Sequence, residues 1–526
     1  MPQASELPID TSATADEMAE AMFGSGIEII SADYDGAGRA SGIYSDGDEV
    51  APELTPGDTG VILSTGKAKD ITNSSGEANT RSNTTSNNRT SGDEDLDEMS
   101  GVKTYDAAVF EATFVPQGEV LTMQVTFSSE EYLEYVNSGF NDAVGIWVNG
   151  EPAELMVGDG DITINNINDQ SNSNLYIDNP ANAEVANTEM DGFTVTLTLK
   201  APVEPDQENT IKIAIADGGD RSYDSNLLIA GDSIQTALIA EDDTVDVNGS
   251  DPKTVDVLAN DASTVSGTLT ITHINGQAVS AGDTVTLASG EQITLNPDGT
   301  FEIVSDGDED SNVFTYTVED ADGNTDTAYV TVTTGPGLAC FVAGTLIETV
   351  EGPVAVEELE PGTRVLTRDN GPQPVRWIGR SQRVAEGSVA PIVFEPGALG
   401  NHGQVALSPN HRVLVSSVQA ELLFGQAEVL IKAKLLVNDR TVRPRADGRP
   451  VTYLHLLFDQ HEIVTGNGLE SESYHPGDET LAGFDAETQE EVLDLMPALA
   501  SRDLLFYGPA ARRELKAHEA QVLLSP

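Results

Sequence analysis

The chain has one cysteine in 526 residues. It can build neither an internal disulfide framework nor a four-cysteine zinc site, so its fold must hold by packing even in an oxidising space. Basic residues are scarce too. There are 26 Lys and Arg against 88 Asp and Glu, a formal net charge of -62. Such a surface repels nucleic acid and anionic membranes and favours solubility and divalent cations, which sets DNA and RNA binding aside. No apolar run approaches the roughly 18 residues of a membrane-spanning helix. The N-terminal stretch MPQASELPIDTSATADEMAEAMFGSG lacks the basic and apolar regions of a cleaved signal. The expectation is therefore no transmembrane segment, and export, if any, by a signal-peptide-independent route such as type I secretion.

What is present is unevenly placed. Residues 1–339 carry 62 acidic against 10 basic residues, and residues 340–526 carry 26 against 16. Six of the seven histidines follow Cys340, so groups that move protons near neutral pH are concentrated where the only thiol is. The length fits roughly three to four domains of about 150 residues.

One helix is predicted in the first 25 residues, capped by Ser12 or Thr14, with Met18, Ala21 and Met22 on one face and Gly24 as its stop. Strands follow. Phe193, Val195, Leu197 and Leu199 alternate with threonines, and Ile211, Ile213 and Ile215 repeat the period of two, as in half-buried sandwich strands. Residues 71–101 hold almost no apolar side chains and read as a long exposed loop. Between 239 and 335, short alternating runs separated by Asn-Gly, Asp-Gly and Asn-Asp turns predict an immunoglobulin-like sandwich. The leucine spacing in ETQEEVLDLMPALA and AARRELKAHEAQVLL predicts short amphipathic helices in a tail over 477–526, fit to cover a sheet edge.

The runs FGSGIEIISADYDG, GVILSTGKA, SSEEY with FNDAVGIWV, and DSNLLIAGDSI resemble the choice-of-anchor L family of extracellular and surface modules. That resemblance assigns residues 1–238 to a β domain with an extracellular or cell-surface ligand. Glu130, Glu131, Asp142, Asp217, Asp220 and Asp224 offer hard oxygen ligands, so calcium is the one cofactor considered, with Asp217, Asp220 and Asp224 as candidates. No fixed ligand spacing ties them together, and an ordinary solvated acidic face is the commoner use of such residues. VLAND and NPDGTFEIV make 239–335 similar to the cadherin-like domains of bacterial adhesins.

After the Gly/Pro linker TTGPGLA, the pattern CFVAGTLIET with VLTRDNGPQPVRWIG resembles the Hint superfamily of hedgehog and intein self-processing domains, over about 338–476. The resemblance implies an all-β fold and an N-to-S acyl shift by Cys340 on the Ala339 carbonyl. It places Ser408 and His411, in LSPNHRVLV, at the hydroxyl and histidine positions of the family's TxxH motif. His411 would protonate the leaving nitrogen and Ser408 would orient the scissile peptide. His461 falls at the family's late histidine and His455 near where inteins generally have an aspartate, with Asp459 close by; paired polar residues on a strand edge are an equal reading. The His-Asn ending that completes splicing is absent. What remains is a thioester that is hydrolysed or passed to an acceptor.

The chain as a whole reads as mainly β, with a β-sandwich-like first domain, an immunoglobulin/cadherin-like sandwich, and a Hint fold with a short helical tail. The leading expectation is a secreted or surface protein that processes itself once at Ala339–Cys340. The competing one is a non-enzymatic acidic binding module with a catalytically silent Hint fold. A conventional cysteine hydrolase is weaker, because a nucleophile at a linker–domain junction is placed for its own backbone.

Overall fold

The computed structural model describes residues 4–81, 83–138, 142–153, 162–181, 183–248, 252–305, 310–335, 339–385, 390–475 and 509–524. The chain divides into two compact units. One is built from Met1–Val245, Thr254–Ile303 and Asn312–Val332, the other from Asp246–Lys253, Val304–Ser311 and Thr333–Pro526.

The expected first helix is Ala15–Met22, with Thr14 as its cap. The Thr14 hydroxyl accepts the Glu17 N–H while the Glu17 carboxylate takes the Thr14 N–H, a reciprocal capping box. Met18, Ala19 and Met22 are buried, so Ala19 rather than Ala21 completes the inner face. The strands that follow form two antiparallel sheets. One is ordered Ile9–Asp10, Ser41–Tyr44, Gly60–Ser64, Ser225–Ala230, Val120–Ser129, Gly192–Thr194 and Tyr176–Asp178, with Leu197–Pro202 also on Val120–Ser129. The other runs Ile27–Asp35, Thr104–Pro116, Asn209–Gly218, Ala143–Val148 and Glu151–Pro152. Phe110, Phe127, Leu197, Ile213 and Leu227 meet between them in one core.

Two expectations change here. The threonine face of Leu197–Pro202 is covered as well as its leucine face: the Tyr329 hydroxyl donates to the Thr198 carbonyl, and Thr122 donates to the buried Asp326. The second face is therefore covered at Thr198, while Lys200 is half-buried and Pro202 exposed. Residues 71–101 are exposed at many positions, as expected, but the stretch is tied down, with Thr84 and Ser86 buried. Their backbone N–H groups are taken by carboxylates, those of Thr80 and Arg81 by Glu189, Thr84 by Glu130, Ser86 by Asp224, and Asn88 and Thr90 by Asp106. Charge-assisted hydrogen bonds thus hold a strap, residues 80–90, whose sequence has no apolar side chains. Its end coils into the helix Glu94–Ser100, capped by Asp93, with Leu96 buried.

Between 243 and 335 the strands pair as a five-stranded and a four-stranded sheet, the sandwich pattern expected from the turn spacing. In the second unit a six-stranded sheet carries Trp377–Val384, Pro450–Leu457, Phe341–Val342 and Val405–Leu407 in that order. A nine-stranded sheet carries Ile463–Gly466, Leu469–Glu472, Arg412–Ser416 and Glu428–Lys432. Phe341, Leu407, Ile431 and Leu454 are among the residues of the shared core. In the tail, AARRELKAHEAQVLL is only half helical. Arg513–Glu514 adds a parallel strand to Glu428–Lys432, covering its edge, and only Ala517–Leu524 is helix. The helix expected in ETQEEVLDLMPALA lies outside the described residues.

Candidate self-processing site

Cys340 immediately precedes the short strand Phe341–Val342, which is paired on both sides. Phe341 stands opposite Leu407 on one neighbour and opposite Leu454 on the other. Register then does the rest. On one side it brings Ser408 to the Cys340 backbone, and on the other it brings His455 to the Cys340 side chain, 115 residues away in sequence.

The Cys340 N–H donates to the Ser408 Oγ at 3.0 Å, and the Ser408 N–H donates to the Cys340 carbonyl at 3.0 Å. Ser408 thus clamps Cys340 on both sides, its side chain on the N–H of the scissile amide and its backbone on the carbonyl of the next peptide. Ser408 and His411 share a tight turn closed by the His411 N–H on the Ser408 carbonyl, at 3.1 Å. His455 Nδ1 lies 3.1 Å from the Ala339 carbonyl oxygen. A carbonyl only accepts, so this contact fixes the tautomer with the proton on Nδ1. The Cys340 Sγ stands 3.4 Å from Nδ1 and 3.6 Å from Nε2 of the same ring. Nearly equal distances place the sulfur against the imidazole rather than on the line of one N–H bond.

The site is dry. Ala339 and Cys340 are buried, and His411 and His455 have no exposed surface. Burial pushes both imidazoles down to about 4. For His411 the Glu472 charge works against that shift, and for His455 the Ala339 carbonyl does. Both rings are neutral at pH 7. His455 is stacked on Trp377 at 6.4 Å between ring centres and meets Tyr474 edge-on at 5.9 Å. His411 and Phe341 meet in a T-shaped contact at 4.6 Å, and the Cys340 carbonyl, outside the scissile amide, favours the protonated ring.

The structure thus gathers Cys340, Ser408, His411 and His455. His461 belongs to a neighbouring polar group. Its Nδ1 accepts the Ala511 N–H at 3.1 Å, so its proton is on Nε2, which faces the Glu472 carboxylate at 3.3 Å. Asp459 turns away altogether, in an exposed two-pronged pair with Arg376. Sequence reasoning missed Glu472, Arg412 and Trp377. Two of them stood in runs already singled out, Trp377 in VRWIG and Arg412 next to His411 in LSPNHRVLV.

The acidic candidates of the first unit also differ from expectation. Glu130, Glu131, Asp142, Asp217 and Asp224 are buried, at most 3% exposed, so the solvated acidic face is overturned for these five. Burial pushes the Glu130 carboxyl up to about 8, Asp142 to about 7 and Asp224 to about 6. Asp220 alone is half-buried, and it caps the Ser222 N–H.

Sandwich modules followed by an all-β module that opens on a buried, doubly clamped cysteine define the class, a modular β protein ending in a Hint fold. The family models agree: residues 8–235 match the choice-of-anchor L domain, 235–333 the bacterial Ig domain and 339–478 the Hint domain. The chain therefore joins these three kinds of domain, and they are the domains of a surface or extracellular protein. No described helix is long and apolar enough to cross a membrane. No curated protein matches the chain. Among solved structures it aligns with the M60 catalytic domain and CBM51 domains of Clostridium perfringens ZmpB, at 10% identity, over 85% of this chain and 43% of that one, with a TM-score of 0.12. It also aligns with the N-terminal eight Ig domains of Down syndrome cell adhesion molecule, at 7% identity, over 71% and 39%, with a TM-score of 0.16. The chain spans less than half the length of either, and scores this low define no shared fold.

Proposed function

We propose that the C-terminal domain cleaves its own chain once, at the Ala339–Cys340 peptide bond. The observation that carries this reading is the three-sided hold on that bond: Ser408 Oγ on its N–H, His455 Nδ1 on its carbonyl, and the Cys340 Sγ against the same imidazole. The Sγ attacks the Ala339 carbonyl carbon, and the Nδ1–H of His455 stabilises the oxyanion that forms. The C–N bond then breaks, the nitrogen takes up the proton that the thiol gave, and Ala339 is left as a thioester on Cys340. Water would release residues 1–339 with a free carboxylate and return the thiol. An amine or hydroxyl acceptor would instead join that segment covalently to another molecule.

The thioester is uphill of the amide because amide resonance is lost. Burial of both histidines in neutral form suits a base and hydrogen-bond donor rather than a standing acid. The intact mass of the purified chain, followed with and without a small thiol, tests the reading. Two fragments meeting at Ala339–Cys340 are expected, and a chain that stays whole under both conditions overturns it in favour of a binding protein with a silent Hint domain.

The histidines separate by position. Replacing His455 with alanine removes a side chain within hydrogen-bond reach of both scissile carbonyl and thiol, and is expected to lower hydroxylamine trapping of the thioester by roughly 10²–10⁴-fold. His411→Ala is expected to slow trapping less, because His411 makes no hydrogen bond to the scissile peptide in this structure. The reverse order would return the principal role to His411.

A further inference from the structure

Five strands of the first unit bring carboxylates to one end of the sandwich. Ala216 stands opposite Ala143, which sets Asp217 beside Asp142; Ser225 stands opposite Ser129, which sets Asp224 beside Glu130. Asp106 comes from the start of Thr104–Pro116 and is already matched by Arg221. Three of the other four spend one oxygen on a backbone amide: Glu130 accepts the Thr84 N–H at 2.8 Å, Asp224 the Ser86 N–H at 2.9 Å and Asp142 the Gly218 N–H at 2.9 Å. Glu130 Oε2, Asp142 Oδ2, Asp217 Oδ1 and Asp224 Oδ2 are buried with no hydrogen-bond partner. The backbone makes room for this group. A Cβ on Gly66 would lie 1.7 Å from Asp224 Oδ2.

We propose that this end of the sandwich binds one divalent cation of the calcium class, held by Asp142, Asp217, Asp224 and Glu130. Four carboxylate oxygens withdrawn from water without partners carry a large desolvation cost that a cation offsets directly. The donor set selects the ion. Besides the carboxylates, the buried hydroxyl of Thr84 has no hydrogen-bond partner, and the Ser225 hydroxyl lies beside Asp142. An all-oxygen set of this kind suits a hard, large ion of flexible coordination rather than zinc. Among the described residues no group of three or more His, Cys, Asp or Glu side chains stands where it could hold a metal ion without moving. Binding therefore draws the carboxylates inward, and because the strap 84–86 hangs from two of them, it fixes the strap as well.

The test uses the full chain carrying Cys340→Ala, so that it stays in one piece, stripped with EDTA and titrated with calcium in 0.1 M KCl. Calorimetry is expected to show one saturable site, competed by terbium and not by equimolar magnesium, with a calcium-dependent rise in melting temperature. In Asp142→Asn/Asp217→Asn the affinity is expected to fall at least tenfold, while cutting of the strap by a protease in EDTA stays no faster than in the parent. Weak uptake that never saturates, or equal affinity in parent and variant, overturns the proposal and assigns the carboxylates to the protonated form. Should the variant not fold, saturable one-to-one binding and calcium protection of the strap in the parent still decide. Their absence overturns the proposal.

Discussion

Cys340→Ala is expected to leave the chain as a single 55.6 kDa species under every condition that cleaves the parent. The effect is complete rather than graded, because no other residue can take the sulfur's place. Cys340 is the only thiol in the chain, and the Ser408 Oγ accepts from the scissile N–H, on the side of the leaving nitrogen. The substitution is also structurally mild. Cys340 packs with Ala385, Val451 and Tyr453 in a small apolar cluster, so loss of a sulfur there costs about 1 kcal/mol of packing and leaves the fold in place. Cys340→Ser separates nucleophile from geometry. It keeps an atom that can attack but makes a hydroxyl far weaker than a thiol, so slow cleavage to an ester is expected, visible over long incubation. Cleavage of the alanine variant at the same bond, read by mass, would sink the thioester mechanism outright. Cleavage elsewhere would point to a contaminating protease.

How much of this site could be read from the chain depends on sequence distance. Ser408 and His411 were legible because they share one turn, and a three-residue spacing survives any uncertainty in how strands pair. His455 was not assignable. Its approach to Cys340 follows from Phe341 pairing with Leu454, a register that nothing local to either strand announces. Asp459, four residues further on, lies beyond the end of that strand and is held by Arg376 instead. Burial of polar residues was the systematic blind spot. SGEANTRSNTTSNNRT reads as an exposed loop because composition reports the cost of burying such groups and not the partners that offset it. Those partners are distant in sequence, the carboxylates of Glu130, Asp224 and Asp106. Apolar periodicity, by contrast, located most strands, and erred chiefly where a threonine face was covered by a neighbouring sheet.

Glu472→Ala is expected to destabilise the second unit by roughly 3–5 kcal/mol, the cost of removing one member of a buried ion pair. Glu472 has no exposed surface, and its carboxylate receives the Arg412 N–H at 2.8 Å, the Arg412 guanidinium at 3.3 Å and the His461 Nε2 at 3.3 Å. Truncation leaves a guanidinium, an amide and an imidazole without their acceptor. Arg412 keeps Glu514 at 3.0 Å, which argues for the lower half of that range. Glu472→Gln retains an acceptor oxygen and should cost less, and Arg412→Met with Glu472→Met should recover much of the loss. The pH dependence has a definite sign. Burial acts to raise the Glu472 carboxyl, but Arg412 and His461 outweigh it and hold it at about 2. An acid held below its unfolded value contributes stability that is full above roughly pH 4.5 and is lost as pH falls toward 2. The measurement is specific to this unit because the two tryptophans are divided, Trp147 in the first unit and Trp377 in the second. In a Trp147→Phe background, urea unfolding followed by Trp377 fluorescence should show the parent losing stability between pH 4.5 and 2 and the Glu472→Ala variant showing a smaller acid slope. Equal stability at pH 7, or equal slopes in acid, would mean that the pair contributes no net stability and serves only to place His461.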